Sequence, residues 1–289
     1  MTKYKYFFGS DSRSIPYLET IFNNDKNIKV VTTPPIQKGR GKKFILNDVE
    51  EYCINNEIEF FYYKSNDIYN DMVFGISASF SKIFNSNFLK NNNKIYNIHL
   101  SLLPELRGPS PVEFTILNNF STTGITVFEV NESIDTGKIV YQEQIHVGSN
   151  DYASDLYKKL SQVFNKSYNL IDFNSDGTKQ TGTGSLTSKF SKSDLCIVND
   201  NLNKSKLKIR AFNVLGPAYT IYRDKILKIH SYSNVEDSEG IMFEEGVLYP
   251  EYVTPEGKNK MLFPDYIRGI KWKYLQVYKL QINLIFLKI

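Results

Sequence analysis

The stretch Asn97-Ile98-His99-Leu100-Ser101-Leu102-Leu103-Pro104 closes an apolar run that begins at Lys94, and Arg107-Gly108-Pro109-Ser110-Pro111 follows it. A short apolar run that ends in a Pro/Gly loop reads as a buried strand running out into a turn. On a strand, residues i and i+2 share a face. The Asn97 amide and the His99 imidazole therefore point the same way at the strand's end. Downstream, Ser133-Ile134-Asp135-Thr136-Gly137 places a carboxylate on a glycine-containing turn. An amide donor, an imidazole and a carboxylate form a set suited to acyl-group transfer.

Outward from this point the chain alternates strands with helices of about ten residues. Strands are expected at 4–8, 27–32, 58–62, 72–80, 94–98, 126–130 and 138–147, and helices at 14–24, 47–56, 111–118 and 151–170. Ser14 is the expected cap of the first helix. Residues 33–43 read as a loop with two prolines and two glycines. Alternation of this kind argues for βαβ units and an α/β fold with a mostly parallel sheet. In the last helix, Leu156, Leu160, Val163 and Phe164 form a stripe that reads as core. Residues 174–190 are rich in Gly, Ser and Thr and read as a linker. The expected division is a catalytic domain over 1–173, that linker, a small β-rich domain over 191–271, and an apolar tail over 272–289 to which no role is assigned. No internal repeat is visible.

At 289 residues, with 41% hydrophobic and 23% charged residues, the chain can bury a substantial core in one large or two modest domains. A net charge of +4 is mild, but the charge is segregated. Lys38, Arg40, Lys42 and Lys43 cluster in one loop, and residues 201–230 hold seven Lys/Arg against one acid, Asp224. Such patches suit a polyanion better than the net charge suggests, although a charge run is more often plain solvated surface. Cys53 and Cys196 match no metal-ligand spacing and are expected to be reduced thiols. The chain has no run of 18 uncharged apolar residues, so no membrane span is expected. Its first apolar segment already reads as a strand, so no signal or transit peptide is expected.

The ordered set Asn-Ile-His-x-Ser-Leu-Leu-Pro, Arg-Gly, Gly-Ile-Thr and Ile-Asp-Thr-Gly resembles the signature of the formyltransferases that use 10-formyltetrahydrofolate, and within them those acting on methionyl-tRNA. The resemblance runs over 4–272 and is strongest over 97–140. It implies a Rossmann-like formyltransferase domain followed by a barrel-like, OB-type domain. It implies that Asn97, His99 and Asp135 are the catalytic trio and that no metal is needed. The folate donor, 10-formyltetrahydrofolate, would lie against Ile76-Ser77-Ala78-Ser79-Phe80, whose backbone edge would read the pterin, against Ser101-Leu102-Leu103-Pro104, and against Thr136-Gly137. The loop Lys38-Gly39-Arg40-Gly41-Lys42-Lys43 resembles one that wedges against the acceptor stem of tRNA. Glycines let such a loop follow a nucleic-acid backbone, and Arg and Lys neutralise its phosphates. Lys206, Lys208 and Arg210, with Lys204, would grip the tRNA from the second domain. A monomer with no membrane partner is expected, in the mitochondrial matrix if the resemblance of Phe7-Phe8-Gly9-Ser10-Asp11 to fungal mitochondrial members holds, or in the cytoplasm of a bacterial source. The chain departs from the family at Glu105, at Pro35-Ile36-Gln37 and at Arg13-Ser14-Ile15.

A lone histidine at a strand end is usually a satisfied core residue, and His146 and His230 read that way. Asn97 before it and the Leu-Leu-Pro loop after it set His99 apart. A Ser101/His99/Asp135 nucleophilic triad is disfavoured, because no Gly-x-Ser-x-Gly elbow surrounds Ser101. A turn hydrogen bond suits Ser101 better. Two alternatives to methionyl-tRNA as acceptor are another amine, such as a sugar nucleotide, and a catalytically idle RNA-binding protein. The presence of a second domain favours the large substrate.

Overall fold

The computed structural model describes residues 2–38, 43–236 and 239–270. By their internal contacts these form two units, one of 2–115, 120–149 and 155–188, the other of 116–119, 150–154 and 189–270.

The first unit is an α/β layer structure, as the alternation of elements implies. Its strands are β1 (Tyr4–Phe8), β2 (Ile28–Thr32), β3 (Ile36–Lys38), β4 (Lys43–Ile45), β5 (Phe60–Tyr62), β6 (Met72–Ser77), β7 (Ile95–His99), β8 (Thr122–Glu129) and β9 (Ile139–His146). Seven of them make one sheet in the order β5-β2-β1-β6-β7-β8-β9. Pairing is parallel from β5 to β7 and antiparallel at β7–β8 and β8–β9. Strands β1, β2 and β7 bury consecutive residues, so both of their faces are covered and they read as apolar runs rather than alternations. Phe7, Phe8, Val30, Val31 and Ile76 are wholly buried. Chain order moves leftward from β1 and then restarts at β6 on its other side. The carboxyl ends of β1 and β6 therefore flank a topological switch point, where open α/β sheets bind ligands.

The helices are α1 (Ile15–Asn24), α2 (Asp48–Asn55), α3 (Ser86–Asn91), α4 (Pro111–Leu117) and α5 (Ala153–Ser167). Leu156, Leu160 and Phe164 of α5 are wholly buried, with Phe164 edge-on to Tyr17 of α1 at 5.3 Å between ring centroids. Ser14 stands at the N-cap of α1 as expected, but its side chain makes no capping bond; its hydroxyl donates to the Asp11 carbonyl at 2.6 Å, and Pro16 occupies the first turn. The loop expected over 33–43 contains the antiparallel hairpin β3–β4. Strand β8 starts at Thr122, four residues before the expected start, because 122–125 pair with β9 through long-range contacts that a polar, threonine-rich segment does not advertise.

In the second unit a helix precedes the strands of the expected β-rich domain. α6 (Leu202–Ala211) is capped by the Asn201 side chain, which accepts from the Lys204 amide at 2.8 Å. Its buried residues Ser205 and Ile209 recur at helical spacing. Strands β10 (Ala218–Tyr222), β11 (Lys225–Ile229), β15 (Tyr252–Pro255) and β16 (Met261–Leu262) form one antiparallel sheet, and β12 (Tyr232–Ser233), β13 (Ile241–Phe243) and β14 (Gly246–Pro250) a second. Their common core contains Ile209, Leu227, Ile229, Leu248, Val253 and Phe263. These sheets fit a small barrel-like domain. No helix among the described residues is long and apolar enough to cross a membrane.

Candidate active site

Strand β7 sits inside the sheet between β6 and β8. Its register sets Asn97 beside Ser77 of β6 and Phe128 of β8, and His99 beside Thr126. His99 is buried, 5% exposed, at the strand's carboxyl end. Its Nε2 lies 2.8 Å from the Leu106 carbonyl oxygen. A carbonyl only accepts, so Nε2 carries the hydrogen and the ring is held in that tautomer. Nδ1 faces the Asp135 carboxylate, 3.5 Å from Oδ2. That separation is too long for a direct hydrogen bond and short enough to become an ion pair when Nδ1 holds a proton. The Asn97 amide is half-buried and makes no side-chain hydrogen bond among the described residues.

Asp135 is placed by backbone geometry that ordinary residues avoid. Its φ is +51°, in the left-handed region that Asp tolerates better than most. Oδ2 accepts the Gly108 N–H at 2.7 Å. Gly108 has φ +112°, and a Cβ there would stand 2.8 Å from the Thr187 carbonyl oxygen. Beyond Asp135, any Cβ at Gly137 would overlap the Glu129 carbonyl oxygen, so the turn closes only with glycine. Leu106 also has positive φ, +59°, which for a bulky residue costs about 1–3 kcal/mol. Its carbonyl thereby reaches His99, and its N–H donates to Ser185 Oγ at 2.9 Å.

The loop 101–104 hangs on one buried hydroxyl. Thr126 Oγ1 donates to the Ser101 carbonyl at 2.6 Å and accepts from the Leu103 N–H at 3.1 Å and from Gln142 Nε2 at 2.9 Å. Gln142 Nε2 also donates to the Leu103 carbonyl at 3.0 Å. The Ser101 hydroxyl donates to the Glu105 carbonyl at 2.6 Å, a turn bond. Leu103 is buried, Leu102 and Pro104 half-buried, and the Leu103–Pro104 peptide is cis.

Residues 76–80 lie at the switch point. Ile76, Ser77 and Ala78 are buried, and Ser79 and Phe80 half-buried. Ser79 has φ +46°, and its hydroxyl donates to Asp11 Oδ1 at 2.9 Å. Phe80 stacks on Phe84 at 5.4 Å and meets Phe8 and Tyr63 edge-on.

The residues expected to hold tRNA separate into three groups. The backbones of Lys38 and Lys43 pair in register at the end of the β3–β4 ladder, while Arg40 and Lys42 lie outside the described residues. The Lys206 ammonium rests 5.4 Å above the Tyr232 ring. Lys208 and Arg210 are not the free surface cations that the sequence suggested. Lys208 Nζ is 2.6 Å from Asp200 and 2.7 Å from the Cys196 carbonyl. Arg210 is 6% exposed and donates from Nη1 to the Asp151 carbonyl at 3.1 Å. Both sit on the inward side of α6, where helical spacing rather than charge decides burial. Lys204 is paired with Asp200 as well, at 2.6 Å.

Sequence reasoning missed Thr126, Gln142, Ser185 and Gln180. The segment 174–188 lies within the first unit, where it crosses the catalytic loops. Arg107 and Leu186 form a parallel bridge, with Arg107 N–H to Ser185 O at 2.9 Å and Thr187 N–H to Arg107 O at 2.7 Å. Gln180 accepts from Arg107 Nη2 at 2.7 Å and donates to the Asp135 and Gly137 carbonyls, both at 2.9 Å. No local pattern marks these residues. Among the described residues, no group of three or more His, Cys, Asp or Glu could hold a metal ion.

Residues 18–170 match the profile of the formyl transferase family. The methionyl-tRNA formyltransferase of Thermosipho africanus is 30% identical over 255 residues, which cover 81% of each chain. Among solved structures, a methionyl-tRNA formyltransferase from Clostridium thermocellum superposes with a TM-score of 0.58 at 15% identity, covering 90% of this chain and 99% of that one. The sugar 3N-formyl transferase WlaRD, solved with dTDP and 5-N-formyl-THF, gives a TM-score of 0.63 at 22% identity, covering 90% of this chain and all of that one. At such identities the two structures speak for the fold alone.

Proposed function

The chain belongs to the formyl transferase family, and from that membership we infer that it moves a formyl group from 10-formyltetrahydrofolate to the amino group of methionyl-tRNA. Relatives that align along most of its length include methionyl-tRNA formyltransferases. The observation that carries the chemistry is the approach of His99 Nδ1 to Asp135 Oδ2, 3.5 Å apart, on the strand that also bears Asn97.

Attack of the amine on the formyl carbon creates a tetrahedral centre with a developing oxyanion. A proton must leave the amine, and one must reach the departing nitrogen. The Asn97 amide, unbonded among the described residues, is the donor for the oxyanion; one such donor is worth about 3–4 kcal/mol, or about 10²–10³ in rate. The Leu106 carbonyl fixes the His99 ring, leaving Nδ1 free to face the site. Asp135, anchored by the Gly108 N–H, accepts the amine proton directly or through a water and passes it to His99 Nδ1, turning their 3.5 Å approach into an ion pair, and Nδ1 delivers the same proton to the leaving nitrogen as its bond to the formyl carbon breaks. Residues 76–80 and 101–104 and the Thr136-Gly137 turn form the folate walls in this reading. The cluster Lys38, Arg40, Lys42 and Lys43, with Lys206, meets the tRNA backbone. We place the enzyme in the mitochondrial matrix if its source is eukaryotic, which imaging of a tagged full-length chain tests.

The deciding experiment follows labelled formyl from 10-formyltetrahydrofolate to charged initiator and elongator methionyl-tRNA with purified protein. Transfer that prefers the initiator supports the reading. A folded protein that transfers nothing to either tRNA overturns it.

A further inference from the structure

We propose that Gln180 is a positioning residue that holds the Asp135 carboxylate in its working orientation beside His99; this rests on the formyl-transfer reading of the site. Gln180 comes from the Gly/Ser/Thr-rich segment and reaches three parts of the catalytic loops at once. Its Oε1 accepts from Arg107 Nε at 3.1 Å and Nη2 at 2.7 Å. Its Nε2 donates to the Asp135 and Gly137 carbonyls at 2.9 Å each. Two donors and two lone pairs are thereby all used, and the amide's orientation is unambiguous, because guanidinium only donates and carbonyls only accept.

This saturation matters because of what surrounds Asp135. Residues 131–134 of its turn are exposed, and the turn's own side-chain bonds, Thr136 Oγ1 and the Ser133 N–H to Asn131 Oδ1, are local. Asp135 itself is held at φ +51°, a conformation that relaxes unless neighbours oppose it. The Gly108 N–H grips the carboxylate, but it cannot fix the backbone that aims it. That backbone is fixed at the Asp135 and Gly137 carbonyls, and Gln180 binds both; Arg107 Nε adds a longer bond of 3.2 Å to the first. Arg107 is in turn steadied by Gln180 and by the Thr183 carbonyl at 3.2 Å. The amide thus couples the two loops that carry Asp135 and the His99-gripping Leu106.

The test compares full-length wild type with Gln180→Ala and Gln180→Glu. Gln180→Glu keeps an acceptor pair for Arg107 but turns an oxygen, not an N–H, toward the two carbonyls. The expected result is a kcat lowered about 10- to 100-fold per folded molecule in both variants, the scale of a misplaced catalytic group. Both KM values should stay within about threefold, since a positioning group acts on the aligned state rather than on binding. In ¹⁵N-histidine-labelled protein, the His99 ring signals should shift in both variants. Wild-type kcat and unshifted His99 signals in Gln180→Glu would overturn the proposal, as would a loss of activity explained entirely by a lower folded fraction. Should wild type itself lack turnover, the function reading fails, while the His99 signals still decide whether Gln180 positions Asp135.

Discussion

At the residue scale, the site depends on polar atoms set apart from water but not from one another. Asn97→Asp replaces the oxyanion donor with an anion at the same place, so kcat should fall at least about 10²-fold. Affinity for uncharged tRNA should hold, since Asn97 lies on the sheet and far in sequence from the basic loop. His99→Ala should cost a similar factor in kcat. Steady-state kinetics beside a tRNA-binding isotherm check both, and loss of binding together with turnover would mean a folding defect. Asn97 and His99 were legible because one strand carries both, and strand periodicity is local. Asp135 was legible as a carboxylate on a glycine turn, and its meeting with His99 was expected from the resemblance alone; the geometry of that 3.5 Å approach was not legible, since Gly108 and Gln180 create it from elsewhere in the chain.

At the element scale, buried hydrogen bonds decide where loops sit. Thr126→Val keeps the shape of β8 but strands the Ser101 carbonyl and the Leu103 N–H away from water. An unsatisfied buried group costs about 1–3 kcal/mol, so urea unfolding should show a loss of roughly 2–4 kcal/mol. A loss below about 0.5 kcal/mol would deny Thr126 its supporting role. Just ahead of α6, burial acts to raise the Asp200 pKa, but its bonds to Lys204 and Lys208 prevail and hold it below the ordinary aspartate value. A lowered carboxylate contributes stability that is complete above its unfolded pKa and is lost as pH falls through the folded one. The second unit should therefore weaken as pH drops below about 4. Asp200→Asn should be less stable at neutral pH and lose this part of the acid sensitivity, which melting curves between pH 2 and 7 would show.

At the scale of the whole molecule, charge and burial must be separated before tRNA contacts are assigned. Arg210 is buried and bonded within its own unit, so Arg210→Gln should lower Tm and leave the salt dependence of the tRNA KM unchanged. Arg40→Ala with Lys42→Ala should do the reverse, raising KM and flattening its slope against log salt by roughly 1 per lost phosphate contact. Unchanged kinetics across salt in that double variant would remove the loop from the tRNA site. The same distinction corrects the sequence reading of residues 201–210. Counting charges marked a basic patch, but helical spacing turns Lys208 and Arg210 inward, and Asp200 neutralises Lys204 and Lys208.

The amino-acid order alone determined the α/β layering, the place of Asn97 and His99 on one strand and the glycine turn bearing Asp135, because periodicity and turn chemistry act over a few residues. It also determined the likeness to formyltransferases, which resides in short ordered motifs. Only the tertiary structure decided that a Gly/Ser/Thr-rich stretch clamps the catalytic loops, that Thr126 suspends the loop at 101–104, and that part of the basic patch is spent on internal ion pairs. Those outcomes rest on hydrogen bonds and burial between segments far apart in sequence. Such pairings carry no local signature, because each partner is an ordinary residue until the fold brings the other to it.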